Sequence, residues 1–402
     1  MLVCCATGWG SEPPALPEGN TENARPALKP KGGPASGKVK VAAGNAPLGQ
    51  KIHYTLSKDE ALKLVDKNIE ALVGSIENAA QAGCIAIAFP EDTLGLVHWE
   101  AGHYGAEHEL LEPAVGALFK AVSKKAAERS IYVIVCSDIV YPDGLRNSAV
   151  LFGRNGKEVG RYHKVHLPLG EQNKKRGDSF PVFETEELGG IGMCICYDMV
   201  FPETTRALAM GGADVVFALT VGGAAVADGA ASDAAFITRA ADNELYLVVS
   251  WNGGSRIIAP SGALLAQTVR GQDLTMAEFD PRAGRVFGDA VAGTSTDHRA
   301  RLLGAERVPA AYAILTDSNP PLLKKLKDVK LQTPEHAARL MAEVLTVGET
   351  RFAAAEKLAN DGKVAEAIAE FTAMSEHFGT TWIGHAARSR LLSLRSREKQ
   401  GR

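Results

Sequence analysis

The sequence predicts an α/β fold, because two patterns alternate along most of the chain. From about residue 38, short apolar runs rich in β-branched residues are separated by stretches in which apolar residues recur at helical spacing. Strands that are apolar on both faces are typical of sheets covered by helices. The strand-like runs are VKVAAG, CIAIAFPE, IYVIVCSDIV, SAVLFG, IGMCIC, ADVVFAL, LYLVVSW and RIIAP.

Specific residues mark the ends of the predicted helices. Between the first two strand-like runs, Ser57 and Glu60 form an S-x-x-E capping box at the start of a helix, and Gly83 marks its end. A second helix is predicted from Glu112 to Arg129, and a third begins near Pro202, since proline is favoured in the first turn. The sequence contains neither a Gly-x-Gly-x-x-Gly motif nor a P-loop, so it gives no support to nucleotide binding.

Composition divides the chain into three predicted parts. Residues 1–37 are rich in Pro, Gly, Ser and charged residues, which is typical of a disordered linker. Residues 38–305 carry the alternating strands and helices of the main domain. Residues 306–402 form a helical extension, in which GKVAEAIAEFTAMSEHFG resembles part of a tetratricopeptide repeat. Such repeats usually occur in series and one unit is visible, so a plain helical hairpin packed on the main domain is the alternative.

Composition also argues against several classes of protein. The formal net charge is -3, whereas a nucleic-acid-binding protein usually presents a concentrated basic face. No apolar run approaches the ~20 residues that a membrane-spanning helix needs. The six cysteines show neither zinc-finger spacing nor the pattern of a small disulfide-rich domain.

The first ten residues, MLVCCATGWG, resemble the end of a secretory or lipoprotein signal. They lack a basic segment and a full apolar stretch, so we expect a disordered start and a cytoplasmic protein. If the true start of translation lies upstream, an exported or lipid-anchored protein is the alternative.

Three chemically reactive residues stand at the ends of apolar strand-like runs. Glu91 follows CIAIAFP, Lys164 follows EVGRYH, and Cys196 ends GGIGMCIC. In open α/β folds, side chains at the carboxyl ends of strands converge on one site. An acid, a lysine and a thiol are therefore expected to meet, although they are far apart in the sequence.

The two cysteines of GGIGMCICYD differ in how far they lie from the end of the predicted strand. Residues i and i+2 of a strand share one face, so alternation alone does not separate Cys194 from Cys196. Cys194 lies within the strand and is expected to pack in the core, as are Cys84 and Cys136 in their own apolar runs. Cys196 is expected to be the last strand residue before a turn, where a nucleophile projects into the site.

Together the three residues resemble a known catalytic triad. Glu91 in AFPED, Lys164 in RYHKVHLP and Cys196 in CYDMVFPE match, in this order, the Glu–Lys–Cys triad of the nitrilase superfamily of carbon–nitrogen hydrolases. The resemblance covers roughly residues 38–300 and includes RNSAVLFGRNGKEVGRYHKVHLP, FPETTRALAMGGADVV, TRAADNELYLVVSWNGG and IIAPSGALLA. It implies a four-layer αββα sandwich that forms a homodimer or a higher homo-oligomer. It also implies hydrolysis of a small-molecule amide through a cysteine thioester, without a cofactor or a metal.

Each residue of the triad has an expected role. A free thiol with a pKa of about 8.5 is mostly protonated at neutral pH, so Cys196 needs Glu91 as a general base. The ammonium of Lys164 is expected to lower the thiol pKa and to stabilise the oxyanion, with the backbone N–H of Tyr197 as a second donor. Glu171 in PLGEQ resembles the additional glutamate that positions the lysine and the substrate in many members. Its competitors for this role are the nearby Glu184, Glu186 and Glu187.

Alternatives to an amidase stay open. Tyr197 and Asp198 follow the nucleophile, where nitrile-cleaving members often have Trp-Glu, so an amide or a carbamoyl group is favoured over a nitrile. A non-catalytic scaffold whose helical tail binds a protein partner is a second hypothesis. A cysteine protease with His163 or His166 as base is a third, and it leaves the acid and the lysine without a role. As a metal pair, the same histidines lack a third ligand.

Three further expectations concern the surroundings of the site. His98 and Trp99 are candidates to line the substrate entrance, with an exposed loop aromatic as the alternative. The Gly- and Ala-rich residues 221–233 are expected to form a roomy pocket wall. Asp198 and Arg206 are expected to form buried polar contacts that shape the turn after the nucleophile.

Overall fold

The structure, a computed structural model, describes eight stretches of the chain. They are residues 37–45, 51–222, 229–251, 254–269, 272–283, 286–288, 295–379 and 381–400. The linker predicted for residues 1–37 lies outside these stretches apart from its last residue, and so do the first ten residues.

The strands of the described residues form two six-stranded sheets and a hairpin. They are β1 (Val39–Gly44), β2 (Cys84–Ala88), β3 (Tyr132–Tyr141), β4 (Gly144–Phe152), β5 (Glu158–His163), β6 (Val182–Thr185), β7 (Gly189–Ile195), β8 (Val215–Thr220), β9 (Tyr246–Trp251), β10 (Arg256–Ile258), β11 (Leu264–Gln267), β12 (Leu274–Phe279), β13 (Val286–Gly288) and β14 (Ser295–Asp297). The first sheet has the order β12-β1-β2-β3-β4-β5, and the second has the order β11-β10-β9-β8-β7-β6. Strands β1, β2 and β3 are parallel, as are β7, β8 and β9, so in each sheet three strands end at one edge.

Helices follow most of the parallel strands. They are α1 (Lys58–Gln81), α2 (Val97–Gly102), α3 (His108–Arg129), α4 (Pro202–Met210), α5 (Gly229–Ala241), α6 (Pro321–Leu326), α7 (Pro334–Glu343), α8 (Glu349–Asn360), α9 (Val364–His377) and α10 (Trp382–Gln400). Short 3-10 turns cover Leu169–Glu171, Cys196–Val200 and Pro309–Leu315, and π-helical turns cover Ala300–Ala305 and Val344–Gly348. Within the described stretches, every helix is too short or too polar to cross a bilayer.

Three apolar cores hold the helices and sheets in four layers. In the first core, α1 and α3 cover the first sheet with side chains such as Leu72 and Leu118. The second core lies between the two sheets and includes Ile134 and Phe217. In the third, α4 and α5 cover the second sheet, with Phe236 fully buried. Both sheets are therefore buried on both faces, which explains their apolar strands and confirms the expected αββα sandwich.

The residues predicted to start or end helices do so, and one helix begins earlier than predicted. Ser57 Oγ accepts a hydrogen bond from the Glu60 N–H at 3.4 Å, and Glu60 Oε2 accepts one from the Ser57 N–H at 2.9 Å, so the capping box of α1 is present. Gly83 follows α1 with a φ of +83°, and α4 begins at Pro202. Helix α3 begins at His108, before the predicted start, because two leucines of its first turn are buried in the core.

The residues after the sandwich include a helical extension with a core of its own. Helices α8, α9 and α10 bury side chains against one another, among them Ala367, Phe371, Met374 and Leu391. The predicted helical extension is therefore present, and a third helix makes it larger than the hairpin considered as the alternative. Its likeness to a tetratricopeptide repeat stays a prediction.

Candidate active site

Glu91 lies just beyond the end of β2, and both of its carboxylate oxygens are bonded. Its Oε1 accepts hydrogen bonds from Asn147 Nδ2 at 2.8 Å and Lys164 Nζ at 2.9 Å. Its Oε2 accepts one from the Val221 backbone N–H at 3.4 Å. The residue is only 6% exposed. A buried carboxylate bonded from three sides has a fixed position, which a general base requires.

Lys164 follows β5, and it is fully buried. Its Nζ lies 2.9 Å from Glu91 Oε1 and 3.1 and 3.0 Å from the two carboxylate oxygens of Glu171. Burial acts to lower the pKa of Lys164, but the carboxylates of Glu171 and Glu91 outweigh it and raise this pKa well above its usual range. Lys164 therefore keeps its positive charge through the neutral and mildly alkaline range.

Among the glutamates considered for the supporting role, Glu171 is the one bonded to Lys164. It ends the 3-10 turn that begins at Leu169. Glu184 and Glu186 are exposed, and Glu187 accepts a hydrogen bond from Tyr132 Oη at 2.9 Å. The geometry therefore favours Glu171 over its three neighbours in sequence.

Cys196 opens the 3-10 turn after β7, whereas the sequence predicted it as the last strand residue. Its φ is +47°, a left-handed conformation that is strained for a non-glycine residue and is typical of a nucleophile on a tight turn. The thiol lies beside the end of β8, where it has a hydrogen bond from the Thr220 side chain. A Cβ atom built on Gly222 would lie 3.6 Å from Sγ. The turn therefore directs the thiol towards the strand exit next to Val221, which bonds Glu91.

The thiol of Cys196 is held in its protonated form. Burial raises its pKa to about 12, and the negative charge of Glu91 adds to this effect. Lys164 acts in the expected direction and lowers the pKa, but burial and Glu91 outweigh it. A thiol with such a pKa has almost no thiolate at neutral pH, so its attack requires a base that takes the proton at that moment.

Asp198 fixes the turn that carries Cys196, as predicted. Its Oδ2 accepts hydrogen bonds from Tyr162 Oη at 2.6 Å and from the Ile195 N–H at 2.9 Å. Its Oδ1 accepts one from the His166 N–H at 2.9 Å and lies 2.9 Å from the same residue's Nδ1. The expectation for Arg206 was wrong: its guanidinium donates to a backbone carbonyl after α5 instead.

The histidines on either side of Lys164 have separate partners. His163 Nδ1 lies 2.9 Å from Ser148 Oγ, and His166 Nδ1 pairs with Asp198. Burial lowers the pKa of His163. Both rings contact side chains of the surrounding structure, Ser148 and Asp198. They give no support to the cysteine-protease hypothesis.

His98 and Trp99 do not belong to an exposed entrance loop. Both are buried on α2, where Trp99 Nε1 donates to the Leu56 carbonyl at 3.0 Å and its ring stacks on His103 with centroids 3.8 Å apart. The predicted loop is a helix instead, because apolar residues before them draw this segment into the first core. Of the expected pocket wall at residues 221–233, the central part, residues 223–228, lies outside the described residues.

Sequence reasoning missed the polar residues that bond Glu91 and surround Glu171. Asn147 in β4 bonds Glu91, and its register partner Asp138 in β3 forms an ion pair with Lys174. Lys174 Nζ also lies 3.9 Å from a carboxylate oxygen of Glu171. A signal was available, because Asp138 and Asn147 interrupt apolar strands, and polar side chains at such positions need partners.

Sequence comparison relates the chain to one superfamily of hydrolases. Residues 40–286 match the family model described as carbon-nitrogen hydrolase. The deaminated glutathione amidase of Synechocystis sp. (strain PCC 6803 / GT-S) is 28% identical over 247 residues, which cover 54% of this chain and 86% of that protein. The omega-amidase of Homo sapiens is 28% identical over 243 residues, which cover 53% of this chain and 83% of that protein.

Solved structures share the fold. The carbon-nitrogen hydrolase from Helicobacter pylori G27 has 18% sequence identity and a TM-score of 0.55, covering 69% of this chain and 98% of that one. A mutant of the Nesterenkonia AN1 amidase has 18% identity and a TM-score of 0.52, covering 70% of this chain and 98% of that one. The region matched by the family model ends at residue 286, so the helical extension lies beyond it.

Proposed function

Because the chain belongs to the carbon-nitrogen hydrolase family, we propose that it cleaves a C–N bond of a linear, non-peptide amide or carbamoyl compound. In this proposal Glu91 is the general base, Lys164 stabilises the oxyanion and Cys196 is the nucleophile. The observation that carries it is the buried Lys164 ammonium, which is held between the carboxylates of Glu91 and Glu171. Charges in a site shielded from water act more strongly on a reaction than charges at a surface.

The first half-reaction forms a thioester. Cys196 Sγ attacks the carbonyl carbon of the substrate while its proton passes to Glu91. Negative charge develops on the substrate oxygen, next to Lys164 and the Tyr197 N–H. An ammonium has three N–H donors. One serves Glu91 and one is shared by the two oxygens of Glu171, so Lys164 can offer the third to the oxyanion. When the C–N bond breaks, Glu91 returns the proton to the leaving nitrogen, which departs as ammonia or an amine.

The second half-reaction restores the thiol. Glu91 takes a proton from a water molecule while the water oxygen attacks the thioester carbon. The C–S bond then breaks, a carboxylic acid is released, and the sulfur of Cys196 regains a proton from Glu91. An amide and a water molecule have thus become a carboxylic acid and ammonia or an amine.

The substrate class is proposed from the relatives and from the turn after the nucleophile. The two relatives described above are named amidases. Tyr197 and Asp198 stand where nitrile-cleaving members often have Trp-Glu. A panel of linear amides, N-carbamoyl compounds and nitriles tests the proposal, and we expect hydrolysis of amides or carbamoyl compounds in preference to nitriles.

The proposal includes a division of the chain into parts. We take residues 38–305 as the hydrolase domain, residues 306–402 as the helical extension, and residues 1–37 as a linker. We also take the working unit to be a homodimer or a higher homo-oligomer.

Paired cysteine variants test the proposed nucleophile. Cys196→Ala should reduce turnover of every accepted substrate to background, because residues 197–200 of the turn offer no other thiol. Cys194→Ala should keep most of the activity, since Cys194 is fully buried and its Sγ lies 3.3 Å from Met199 Sδ in the third core. The rate of substrate hydrolysis is measured for both, with circular dichroism as the check on folding. An inactive, folded C194A variant beside an active C196A variant would refute the assignment.

A further inference from the structure

Helix α7 of the extension packs directly on the turn that carries Glu171. A Cβ atom built on Gly170 would meet Met341 Sδ at 2.8 Å, Met341 Cβ at 3.1 Å and the Ala337 carbonyl oxygen at 3.5 Å. The three nearest neighbours of this position therefore all belong to α7. Gly170 immediately precedes Glu171, whose carboxylate holds the Lys164 ammonium. Contact with α7 thus limits the movement of the peptide next to this carboxylate.

A second contact joins α8 to the helix that follows Glu91. Oε2 of Glu349, the first residue of α8, lies 2.8 Å from His98 Nε2 and 3.1 Å from Lys51 Nζ. Burial acts to raise the pKa of Glu349, but His98 and Lys51 outweigh it and lower this pKa. Glu349 is therefore ionised at neutral pH. A cavity of about 310 Å³ lies at the same junction and is lined by these three side chains among others.

A short turn connects His98 with Glu91. Asp92, the residue after Glu91, accepts hydrogen bonds from the Leu96 N–H at 2.7 Å and the Val97 N–H at 3.3 Å. Its φ is +55°, which a non-glycine residue adopts only when its surroundings enforce it. The start of α2 is thus bonded to the residue next to the proposed general base.

We propose that the extension positions the active site, with Met341 acting through Glu171 and Glu349 acting through α2 and Glu91. This inference rests on the proposed function and adds two positioning residues to it. Met341 and Glu349 both lie beyond the region matched by the family model. The contact between the extension and the active site is therefore a feature that this model does not describe. Displacement of a reacting group by about 1 Å can cost about 10²-fold in rate. The extension therefore contributes to turnover, whether or not it also binds a partner.

Substitution of Met341 tests the first contact. Met341→Ala should lower kcat about tenfold and change KM less than about threefold, because a misplaced Lys164 weakens the transition state more than substrate binding. Met341→Leu, which keeps most of the volume, should restore kcat to within about twofold of the wild type. In a Glu171→Gln background, M341A should have almost no further effect, because residues that act through one another are not additive. An equal loss in both backgrounds would overturn the proposal for Met341.

Matched ion-pair variants on α8 test the second contact. Glu349→Gln removes the charge that pairs with His98 and Lys51, and kcat should fall severalfold. Glu356→Gln is the control, because Glu356 pairs with Arg390 inside the extension. E356Q should leave kcat unchanged. A wild-type kcat in E349Q would show that Glu349 does not position the site, and an equal loss in E356Q would show an effect of stability alone. Either result overturns the proposal for Glu349.

Hydrogen exchange separates this inference from the proposed function. In the full chain, M341A should increase exchange in the peptide covering residues 168–174, and E349Q should increase it in residues 96–103, whereas E356Q should change neither. If the wild type hydrolyses nothing on the substrate panel, the proposed function fails. Hydrogen exchange alone then tests whether the extension positions residues 168–174 and 96–103. Unchanged exchange in both peptides would overturn the inference even if the wild type is an active amidase.

Discussion

At the scale of single residues, the site combines a protonated thiol with a buried ammonium and two carboxylates. Lys164 is one positive charge against Glu91 and Glu171, so the local charge is negative when the substrate is absent. This balance opposes formation of a thiolate, in agreement with the raised pKa of Cys196. We infer that the thiol is activated by proton transfer during attack, and that a stored thiolate–cation pair plays no part.

Removal of the negative charge on Glu91 should separate thiol reactivity from catalysis. In Glu91→Gln, the pKa of Cys196 should fall, because Glu91 is the largest charge effect that raises it. The pH profile of Cys196 alkylation by iodoacetamide should then shift to lower pH, since the thiolate is the reacting form. Amide hydrolysis should be lost. Peptide mapping measures the alkylation, and Glu184→Gln, at an exposed glutamate, is the control. A pH profile in E91Q that is unshifted, or shifted to higher pH, would contradict the charge balance described above.

At this scale the sequence was sufficient to single out the three residues that we propose as the triad. Glu91, Lys164 and Cys196 each follow an apolar strand, and such reactive residues stand out against their neighbours. Asn147 and Lys174 were missed because their partners come from other elements, and pairing between elements leaves no periodic pattern in the sequence.

At the scale of elements, two tight turns with left-handed residues define the site. Cys196 at +47° follows β7, and Asp92 at +55° follows Glu91 after β2. Both turns are held by buried or half-buried carboxylates, Asp198 in the first and Asp92 itself in the second. Strain of about 1–3 kcal/mol at such positions persists only when neighbouring bonds enforce it.

The turn at Asp92 should make stability depend on pH. Burial raises the pKa of Asp92 to about 7, well above its value in an unfolded chain, where it is about 3.9. Between these values the folded state binds the proton more tightly, so this contribution to the free energy of unfolding is complete below about pH 4 and declines towards pH 7. Asp92→Asn should remove this decline. Chemical denaturation from pH 4.5 to 7.5 measures both proteins, and parallel curves would show that Asp92 does not titrate there.

Elements with strong periodic signals were predictable, and tight turns were less so. The capping box at Ser57 and the proline at Pro202 gave helix starts that the structure has. Helix α2 was missed because it is short and its N-cap is Leu96, which makes no side-chain capping bond. The position of Cys196 was wrong by one residue, since the φ that ends β7 depends on bonds to Asp198.

At the scale of the whole molecule, the chain combines the αββα sandwich with a helical extension that has its own apolar core. The sequence predicted both parts, because each carries its own apolar pattern. It gave no indication of their contact, since Glu349 and His98 are 251 positions apart and neither belongs to a motif. Long-range polar contacts of this kind became visible only in three dimensions.

The homo-oligomer stays a prediction at this scale. Large apolar side chains are exposed in residues 308–331, among them Leu315, Leu322 and Leu331, and apolar surface of this kind is typical of a protein interface. Size-exclusion chromatography with light scattering should give a mass of at least twice the 42.5 kDa of one chain. A mass of 42.5 kDa at micromolar concentration would contradict the prediction.

The most direct test of the central claim is the detection of an acyl group on Cys196 during turnover. The full chain is mixed with an accepted amide and quenched in acid within the first turnovers. Intact-mass spectrometry and peptide mapping then locate the adduct. We expect one acyl group on the peptide that contains Cys196, and none in the C196A variant. Steady hydrolysis with no adduct on Cys196, or an adduct on Cys194, would contradict the proposed mechanism.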